Sequence, residues 1–267
     1  MKSTYFCVVN LMKLSGMLLV IMSLAFCGGI QQVLAHEGGI VLGSTRVIYP
    51  ESALKGVTFN LTNHTPWVYL LQSRITPWSR EDMAEVSNTD LIEGDEKDNP
   101  PFIILPPLTR FEPEQTLALR IRLTRQQLPT DRESVFMLML KAIPSQPSDI
   151  QQQNSQAKAT LVLALQNNIK LFYRPSQLPM MDASSRAEQL QFIFHKREIT
   201  VKNSSAYFVT LNQLSVGGDK VNLAGRAMIA PFSQETYMTS ESIAKTVDWQ
   251  IFDDEGRPTP KLQRLLH

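Results

Sequence analysis

The chain has 267 residues, of which 43% are hydrophobic and 19% charged, and its 26 basic and 25 acidic side chains give a formal net charge of +1. This length suits one large domain or two domains of about 100 residues each. A net charge this small provides no global basic field, so nucleic acid is not expected as a partner. Aromatic residues make up 8% of the chain, enough to fill hydrophobic cores, which argues against general disorder.

Residues 1–35 predict a secretory signal peptide. Lys2 and Lys13 precede an apolar run, and Val33 and Ala35 supply small residues at the positions that precede a cleavage site. The apolar run is shorter than the roughly 20 residues that a membrane-spanning helix needs. We therefore expect cleavage after Ala35 and no membrane insertion of the mature chain.

The two cysteines of the chain, Cys7 and Cys27, both lie in this segment. Its removal would leave the mature protein with neither a disulfide nor a thiolate metal site. Two alternatives to ordinary cleavage stay open. One is an uncleaved anchor, and the other is lipidation at Cys27, although the bulky Phe26 fits a lipoprotein cleavage site poorly.

The following residues predict short β-strands. The segment 57–61 alternates and runs into a polar turn cluster, and 68–75 ends close to Pro77. Residues 117–123 alternate leucine and isoleucine with alanine and arginine, which predicts a strand with one apolar and one basic face. The run 135–143 is continuously apolar and favours a central strand that is covered on both sides. Strands and turns at this spacing favour a β-sandwich.

A polar, glutamine-rich segment, Ser145–Ala159, predicts a loop, and a short apolar strand follows it directly. In that strand Leu161, Leu163 and Leu165 share one face. Their spacing fits two structures equally well. The leucines could pack inside the protein's own sandwich, or they could lie on an exposed edge, which proteins normally suppress.

The second half predicts further strands at 191–194, 198–202, 207–211 and 247–252, separated by polar or glycine-containing turns. Pro175 and Pro179 predict a bend between two domains. No internal repeat is found at the level of individual residues.

The segment Ile169-Lys170-Leu171-Phe172-Tyr173-Arg174-Pro175 closely resembles a signature of the periplasmic pilus chaperones. The resemblance extends over nearly the whole mature chain, through 44–50, 101–113, 132–144, 203–211 and 231–233. It implies an all-β fold of two immunoglobulin-like β-sandwich domains arranged as an L. The expected organisation is a signal peptide at 1–35, an N-terminal pilin-binding domain at 36–175 and a C-terminal domain at 176–267.

The resemblance also implies a function. Such a chaperone, located in the periplasm, binds, stabilises and delivers pilin subunits for fimbrial assembly by donating its strand around 160–166 to the incomplete pilin fold. Leu161, Leu163 and Leu165 would fill the pilin groove, and Arg46 and Lys170 would anchor the pilin C-terminal carboxylate. The expected partners are pilin subunits, the outer-membrane usher and, for the free protein, a second copy of itself. No cofactor is expected.

Glu112, Arg174 and Asp254 match a charge cluster that the family uses to fix the orientation of its two domains. The sequence departs from the family elsewhere. The long loop at 145–159 is not accompanied by the cysteine pair typical of long-loop members, and Met137 and Met139 replace an aromatic and a polar residue. The branch of the family therefore stays open.

Enzymatic function is not expected. The four histidines, His36, His64, His195 and His267, have no metal-ligand spacing, and neither a nucleophile elbow nor a phosphate-binding loop is present. The remaining alternative is a secreted or surface immunoglobulin-like module with an adhesive or structural role, because a fold alone does not determine function. One-to-one co-purification with an exported pilin would distinguish a chaperone from such a module.

Overall fold

The computed structural model describes residues 38–78, 100–125, 128–145, 163–223, 225–240 and 245–266. The expected signal peptide, most of the glutamine-rich loop and Leu161 lie outside these residues. Within them, no helix combines the length and the apolar character that crossing a membrane requires.

The first half of the described chain forms two facing β-sheets. One has the strand order β1-β3-β7-β5, and the other has the order β2-β9-β8-β4-β6. All pairings are antiparallel except that of β2 with β9, which is parallel. The strands are β1 (Ile40–Leu42), β2 (Arg46–Pro50), β3 (Val57–Asn63), β4 (Tyr69–Pro77), β5 (Phe102–Leu105), β6 (Leu108–Phe111), β7 (Thr116–Leu123), β8 (Ser134–Pro144) and β9 (Leu165–Arg174).

Period-two alternation places the apolar side chains of these strands between the sheets. In β7, Leu119 and Ile121 are fully buried, whereas Arg120 and Arg122 are exposed, so the prediction of one apolar and one basic face is confirmed. β8 lies between β9 and β4, as expected for a central strand. Its inward side chains are buried, and Met137 on the opposite face is buried too, which explains the continuous apolar run.

The second half forms a separate sandwich around its own core, in which Trp249 is the largest fully buried side chain. One sheet has the order β10-β11-β15, and the other has the order β13-β12-β16-β17 with β14 paired to β12. The elements are α1 (Ala183–Glu188), β10 (Gln191–His195), β11 (Glu198–Asn203), β12 (Val209–Val216), β13 (Asp219–Lys220), β14 (Met228–Ile229), β15 (Ser233–Met238), β16 (Thr246–Ile251) and β17 (Leu262–Leu265). The single described turn of helix, α1, is capped by Asp182, whose side chain accepts from the Ser185 amide at 2.7 Å.

The two sandwiches share a corner motif that the sequence comparison of the halves missed. At the end of β3, the Asn63 amide group donates to the Trp67 and Glu112 carbonyls at 2.8 and 3.0 Å, while Oδ1 accepts from the Thr65 hydroxyl at 2.7 Å. At the end of β11, Asn203 makes the equivalent bonds to the Tyr207 and Ala230 carbonyls at 2.7 and 3.0 Å and to the Ser205 hydroxyl at 2.7 Å. The expectation that no residue-level repeat exists is therefore wrong. The two segments, Asn-x-Thr-x-Trp and Asn-x-Ser-x-Tyr, have chemically similar side chains at the same spacing. Only the asparagine is identical, so the repeat is hard to recognise in the sequence.

Replacing either asparagine should destabilise the protein strongly. Asn63 and Asn203 are 0% and 1% exposed. We expect Asn63→Ala and Asn203→Ala each to lower the free energy of unfolding by about 2–4 kcal/mol, because several hydrogen bonds are lost and buried carbonyls are left without a donor. Urea unfolding followed by circular dichroism measures this. Asn60→Ala, an exposed position in the same strand as Asn63, should change the value by less than about 0.5 kcal/mol, and equal effects at 60 and 63 would contradict the assignment.

Candidate functional site

Strand β9 is paired along only part of one of its edges. Its antiparallel pairing with β8 runs from Leu165 opposite Ala142 to Tyr173 opposite Ser134. On the other edge, the parallel pairing with β2 begins with Arg46 opposite Lys170 and ends with Pro50 opposite Arg174. Within the described residues, positions 165–169 therefore have no neighbouring strand on that edge, and their outward-directed backbone groups are available for pairing.

Two of the three predicted groove-filling leucines are exposed at the start of this open part, Leu165 as the first residue of β9 and Leu163 two residues before it. Leu163 is 63% and Leu165 47% exposed. Leu165 belongs to the same alternating row as Ile169 and Leu171, which are buried in the first core. The core-facing row of β9 thus continues past the end of its own core into solvent. Leu161, the third predicted residue, lies outside the described part of the chain.

The two predicted anchor residues face each other across the β2–β9 pairing. Arg46 and Lys170 are directly paired in register and therefore project from the same face of the sheet. Burial, together with the positive charge of Arg46, lowers the pKa of Lys170 from its ordinary value. Burial is also the main cause that lowers the pKa of Arg46, although nearby acidic residues oppose it. Two partly buried cations at adjacent positions favour an anion between them.

Within the described residues, neither cation forms an ion pair. The Ser44 hydroxyl is hydrogen-bonded to the backbone of Arg46, but no hydrogen bond joins the Arg46 or Lys170 side chain to another described residue. The Nε atom of Arg46 is buried and without a hydrogen-bond partner in the described part of the chain. A buried unsatisfied donor is costly, so the described residues leave the Arg46 side chain incompletely satisfied.

A network of four charged side chains lies close to these cations and joins the two sandwiches. Arg174 at the end of β9 donates to Glu133 at 2.8 Å and to both carboxylate oxygens of Asp254 at 2.8 and 3.1 Å. Arg186 of α1 donates to Asp254 at 2.8 Å. Glu133 also accepts from the Phe208 amide at 2.8 Å. The bidentate pair of Arg174 with Asp254 and the bond of Glu133 to Phe208 both connect the first sandwich to the second.

The expected member Glu112 is not part of this network. It forms its ion pair with Arg110, two residues away in the chain, and both side chains are well exposed. Glu133, whose side chain is 2% exposed, occupies the position expected for Glu112. The prediction for Glu112 is therefore wrong in its contacts, whereas Arg174 and Asp254 are brought together as expected.

Sequence reasoning also missed Glu133 and Arg186 as members of the network. Glu133 lies directly before the buried strand β8, inside a segment that resembles the family, and its position at the edge of a core was the available signal. Burial raises the pKa of Glu133 despite the opposing charge and hydrogen bond of Arg174. Arg186 lies in a helix too short to be predicted from periodicity.

No group of three or more histidine, cysteine, aspartate or glutamate side chains that could hold a metal ion occurs in the part of the chain that the structure describes. The features that the described residues place here are the open edge of β9, the exposed leucines and the adjacent cations Arg46 and Lys170.

Comparison with known proteins decides the family. The model of the N-terminal domain of PapD, a pili and flagellar-assembly chaperone, matches residues 39–179. The model of the C-terminal domain of the pili assembly chaperone PapD matches residues 185–263. The chain belongs to the pili assembly chaperone family.

Two relatives match the sequence of this chain over most of their length. The chaperone protein FimC of Escherichia coli strain K12 is 33% identical over 234 residues, which are 86% of this chain and 86% of that protein. The probable fimbrial chaperone SfmC of the same strain is 34% identical over 227 residues, covering 85% of this chain and 88% of that protein.

Solved structures of chaperones show the same fold. The Escherichia coli chaperone DraB matches with a TM-score of 0.67 and 27% identity, covering 86% of this chain and 99% of that one. A chain from the Salmonella enterica complex of the SafA pilin with the SafB chaperone matches with a TM-score of 0.68 and 25% identity, covering 86% and 97%. The expected class of two immunoglobulin-like β-sandwiches is confirmed, and the family is one of assembly chaperones rather than of enzymes.

The ion-pair network should make the stability of this chaperone depend on acid pH. Burial works against ionisation of Asp254, but hydrogen bonds and charges from Arg174 and Arg186 outweigh it and lower the pKa of Asp254 from 3.8 to about 2. A carboxyl group with a lowered pKa stabilises the fold fully above its unfolded pKa and loses that contribution as the pH falls through its folded pKa.

We therefore expect the wild-type free energy of unfolding to fall between pH 4 and pH 2 by about 1–2 kcal/mol more than that of Asp254→Asn, a figure reduced for solvent screening. Urea unfolding at a series of pH values measures the difference. Glu198→Gln, at an exposed position of β11, serves as the matched control and should follow the wild-type profile. A profile for Asp254→Asn that parallels the wild type would show that the network does not stabilise the fold.

Proposed function

We propose that this chaperone holds a pilin subunit by lending it the open edge of β9 and by binding the subunit's C-terminal carboxylate between Arg46 and Lys170. The observation that carries the proposal is the coincidence of three features at one place. The edge of β9 is open at 165–169, Leu165 and the preceding Leu163 are exposed at its start, and two cations without an ion pair to any described residue lie where the open part ends.

The position of the cations sets the direction of the client strand. Strand β2 runs parallel to β9 and begins at Arg46. A client strand along 165–169 that ends with its carboxylate at Arg46 and Lys170 must run toward residue 170, which is the direction of β9. The client strand would therefore pair in parallel with β9 and continue the line of β2, with its free carboxylate close to the first residue of β2.

The leucines supply the apolar part of the interaction. A sandwich that lacks a strand exposes both unpaired backbone groups and an apolar groove, and an added strand satisfies the first and fills the second with alternate side chains. Leu165 is exposed at the start of β9 in its core-facing row, and Leu163, two residues before the strand, is exposed as well. In the sequence, Leu161 follows the same period-two spacing. Each leucine that becomes fully buried would contribute about 1.5–3 kcal/mol.

Arg46 and Lys170 supply direction and selectivity. Arginine offers a planar fork of donors that matches a carboxylate, and lysine adds a point charge. The carboxylate at the end of a chain occurs once per subunit, so its capture fixes the register of the client strand. A slip by one residue would turn every alternate side chain to the wrong face.

The wider assignment follows from family membership. We propose export after cleavage at Ala35, action in the periplasm, delivery of the subunit to an outer-membrane usher, and self-association of the free protein through its open edge. We also propose that the boundary between the two domains lies between residues 175 and 176. The network of Glu133, Arg174, Asp254 and Arg186 is proposed to hold the two domains in the L-shaped arrangement expected for the family.

Loss of either anchor should weaken client binding without unfolding the chaperone. We expect Arg46→Ala and Lys170→Ala each to lower the affinity for a pilin subunit by about 10- to 150-fold, because a charge-assisted hydrogen bond contributes roughly 1.5–3 kcal/mol. Co-purification of a client subunit from the periplasm, with circular dichroism of the chaperone alone, measures both effects. Lys202→Ala removes an exposed cation of the second sandwich and should leave recovery unchanged. Normal recovery with both Arg46 and Lys170 replaced would contradict the anchor.

Charges placed on the exposed leucines should prevent donation of the strand. We expect Leu163→Asp and Leu165→Asp to reduce recovery of the client at least tenfold, because a carboxylate cannot be buried unpaired in an apolar groove. Leu54→Asp is the matched control, since Leu54 is 79% exposed but lies in the turn before β3. If Leu54→Asp and Leu163→Asp had the same effect, the leucines would not act through the groove.

A further inference from the structure

The second sandwich reaches the anion site of the first through the segment that follows β16. The Arg46 guanidinium lies over the ring of Phe252, with 5.5 Å between Cζ and the ring centroid. Gly256 packs against the start of β2 so closely that an added Cβ would lie 2.1 Å from the Thr45 hydroxyl oxygen and 3.9 Å from Arg46 Nε. The segment 252–256 thus forms one wall of the site that contains Arg46.

This wall holds Arg46 without neutralising it. An aromatic face attracts a guanidinium through its quadrupole and leaves the N–H groups at the edge of the guanidinium plane free to donate. Nε of Arg46 is buried and has no acceptor in the described part of the chain. Arg174 also lies over an aromatic ring, that of Tyr207 at 5.1 Å, but its guanidinium is in addition bound by Glu133 and Asp254.

The two acidic residues of the wall are occupied elsewhere. Asp254 accepts hydrogen bonds from Arg174 and Arg186. Asp253 accepts from the Arg257 amide at 2.7 Å, from Arg257 Nε at 3.0 Å and from the Glu255 amide at 3.0 Å. Their carboxylates therefore do not pair directly with Arg46, although their charges help to keep it protonated.

We propose that Phe252 is a positioning residue for the carboxylate anchor, so that the second sandwich completes an anion site that the first sandwich alone leaves unsupported. Phe252 orients the Arg46 guanidinium toward the client carboxylate. This inference rests on the proposed function, because it concerns how the same carboxylate is recognised. It also assigns to the second sandwich a direct part in client selection.

The test compares two ligands that differ only at the carboxylate. The probe is a short acetylated peptide of alternating threonine and valine, prepared with a free C-terminal carboxylate and, separately, as the C-terminal amide. We expect the wild-type chaperone to bind the acid form at least tenfold more tightly than the amide, as measured by fluorescence anisotropy of labelled peptides. Phe252→Leu and Phe252→Met should reduce this preference to less than threefold, because neither side chain offers an aromatic face. Phe252→Tyr should retain it.

The possible results of this binding experiment distinguish the carboxylate anchor from the positioning role of Phe252. Equal binding of acid and amide by the wild type would remove the carboxylate anchor itself. A wild-type preference that persists at full size in Phe252→Leu and Phe252→Met would overturn the role of Phe252 and leave the anchor intact. A general packing role would weaken acid and amide binding equally, so the ratio reports positioning specifically.

A measurement on the wild-type protein covers the case in which the variants do not fold. The buried Arg46 Nε–H should give a resolved NMR resonance that is shifted by the ring current of Phe252 and that moves when the acid peptide is added but not when the amide is added. A resonance without a ring-current shift, or one that moves equally with both peptides, would also overturn the proposal.

Discussion

The parallel pairing of β2 with β9 is the constraint on which the site depends. Because β2 begins at Arg46, opposite Lys170, it covers the second part of β9 and leaves the first part open. The same starting point places a cation on each of the two strands where a strand continuing the line of β2 would end. One strand register thus fixes the open edge and, in the proposed function, the direction in which a client pairs and the location of its charged terminus. Moving the start of β2 toward residue 40 would cover the edge that this proposal requires.

The charged residues around this point divide into two groups according to their partners. Arg174 is bound by Glu133 of the first sandwich and Asp254 of the second, so it connects the two, and Arg186 is bound by Asp254 within the second sandwich. Arg46 faces an aromatic ring, and Lys170 faces Arg46. In the proposed complex, a bound carboxylate would relieve the repulsion between Arg46 and Lys170, so the proposal predicts that client binding removes an electrostatic cost of the free state.

Much of the fold followed from period two alone, because alternation along a strand is a local property. Residues 117–123 and 135–143 were assigned correctly as a half-exposed and a central strand. The direction of Leu163 and Leu165 could not be predicted in this way, since alternation shows that they share a face but not whether that face still has a core opposite it. Their exposure depends on where β2 and the opposing sheet end.

The network between the sandwiches was the least predictable part, because an ion pair between distant segments is set by packing rather than by spacing. The resemblance pointed to Glu112, and the fold shows instead that Glu133 is buried beside Arg174 while Glu112 pairs with Arg110.

Amide hydrogen exchange tests most directly whether the open edge of β9 receives a client strand. In the free chaperone at a concentration where it is monomeric, the amides of 165–169 that point away from β8 should exchange rapidly, and a bound pilin subunit should slow them at least tenfold. The amides of 170–174 should be protected in both states, because β2 and β8 flank that part of β9. Unchanged exchange at 165–169 in a complex that protects other residues would contradict the account.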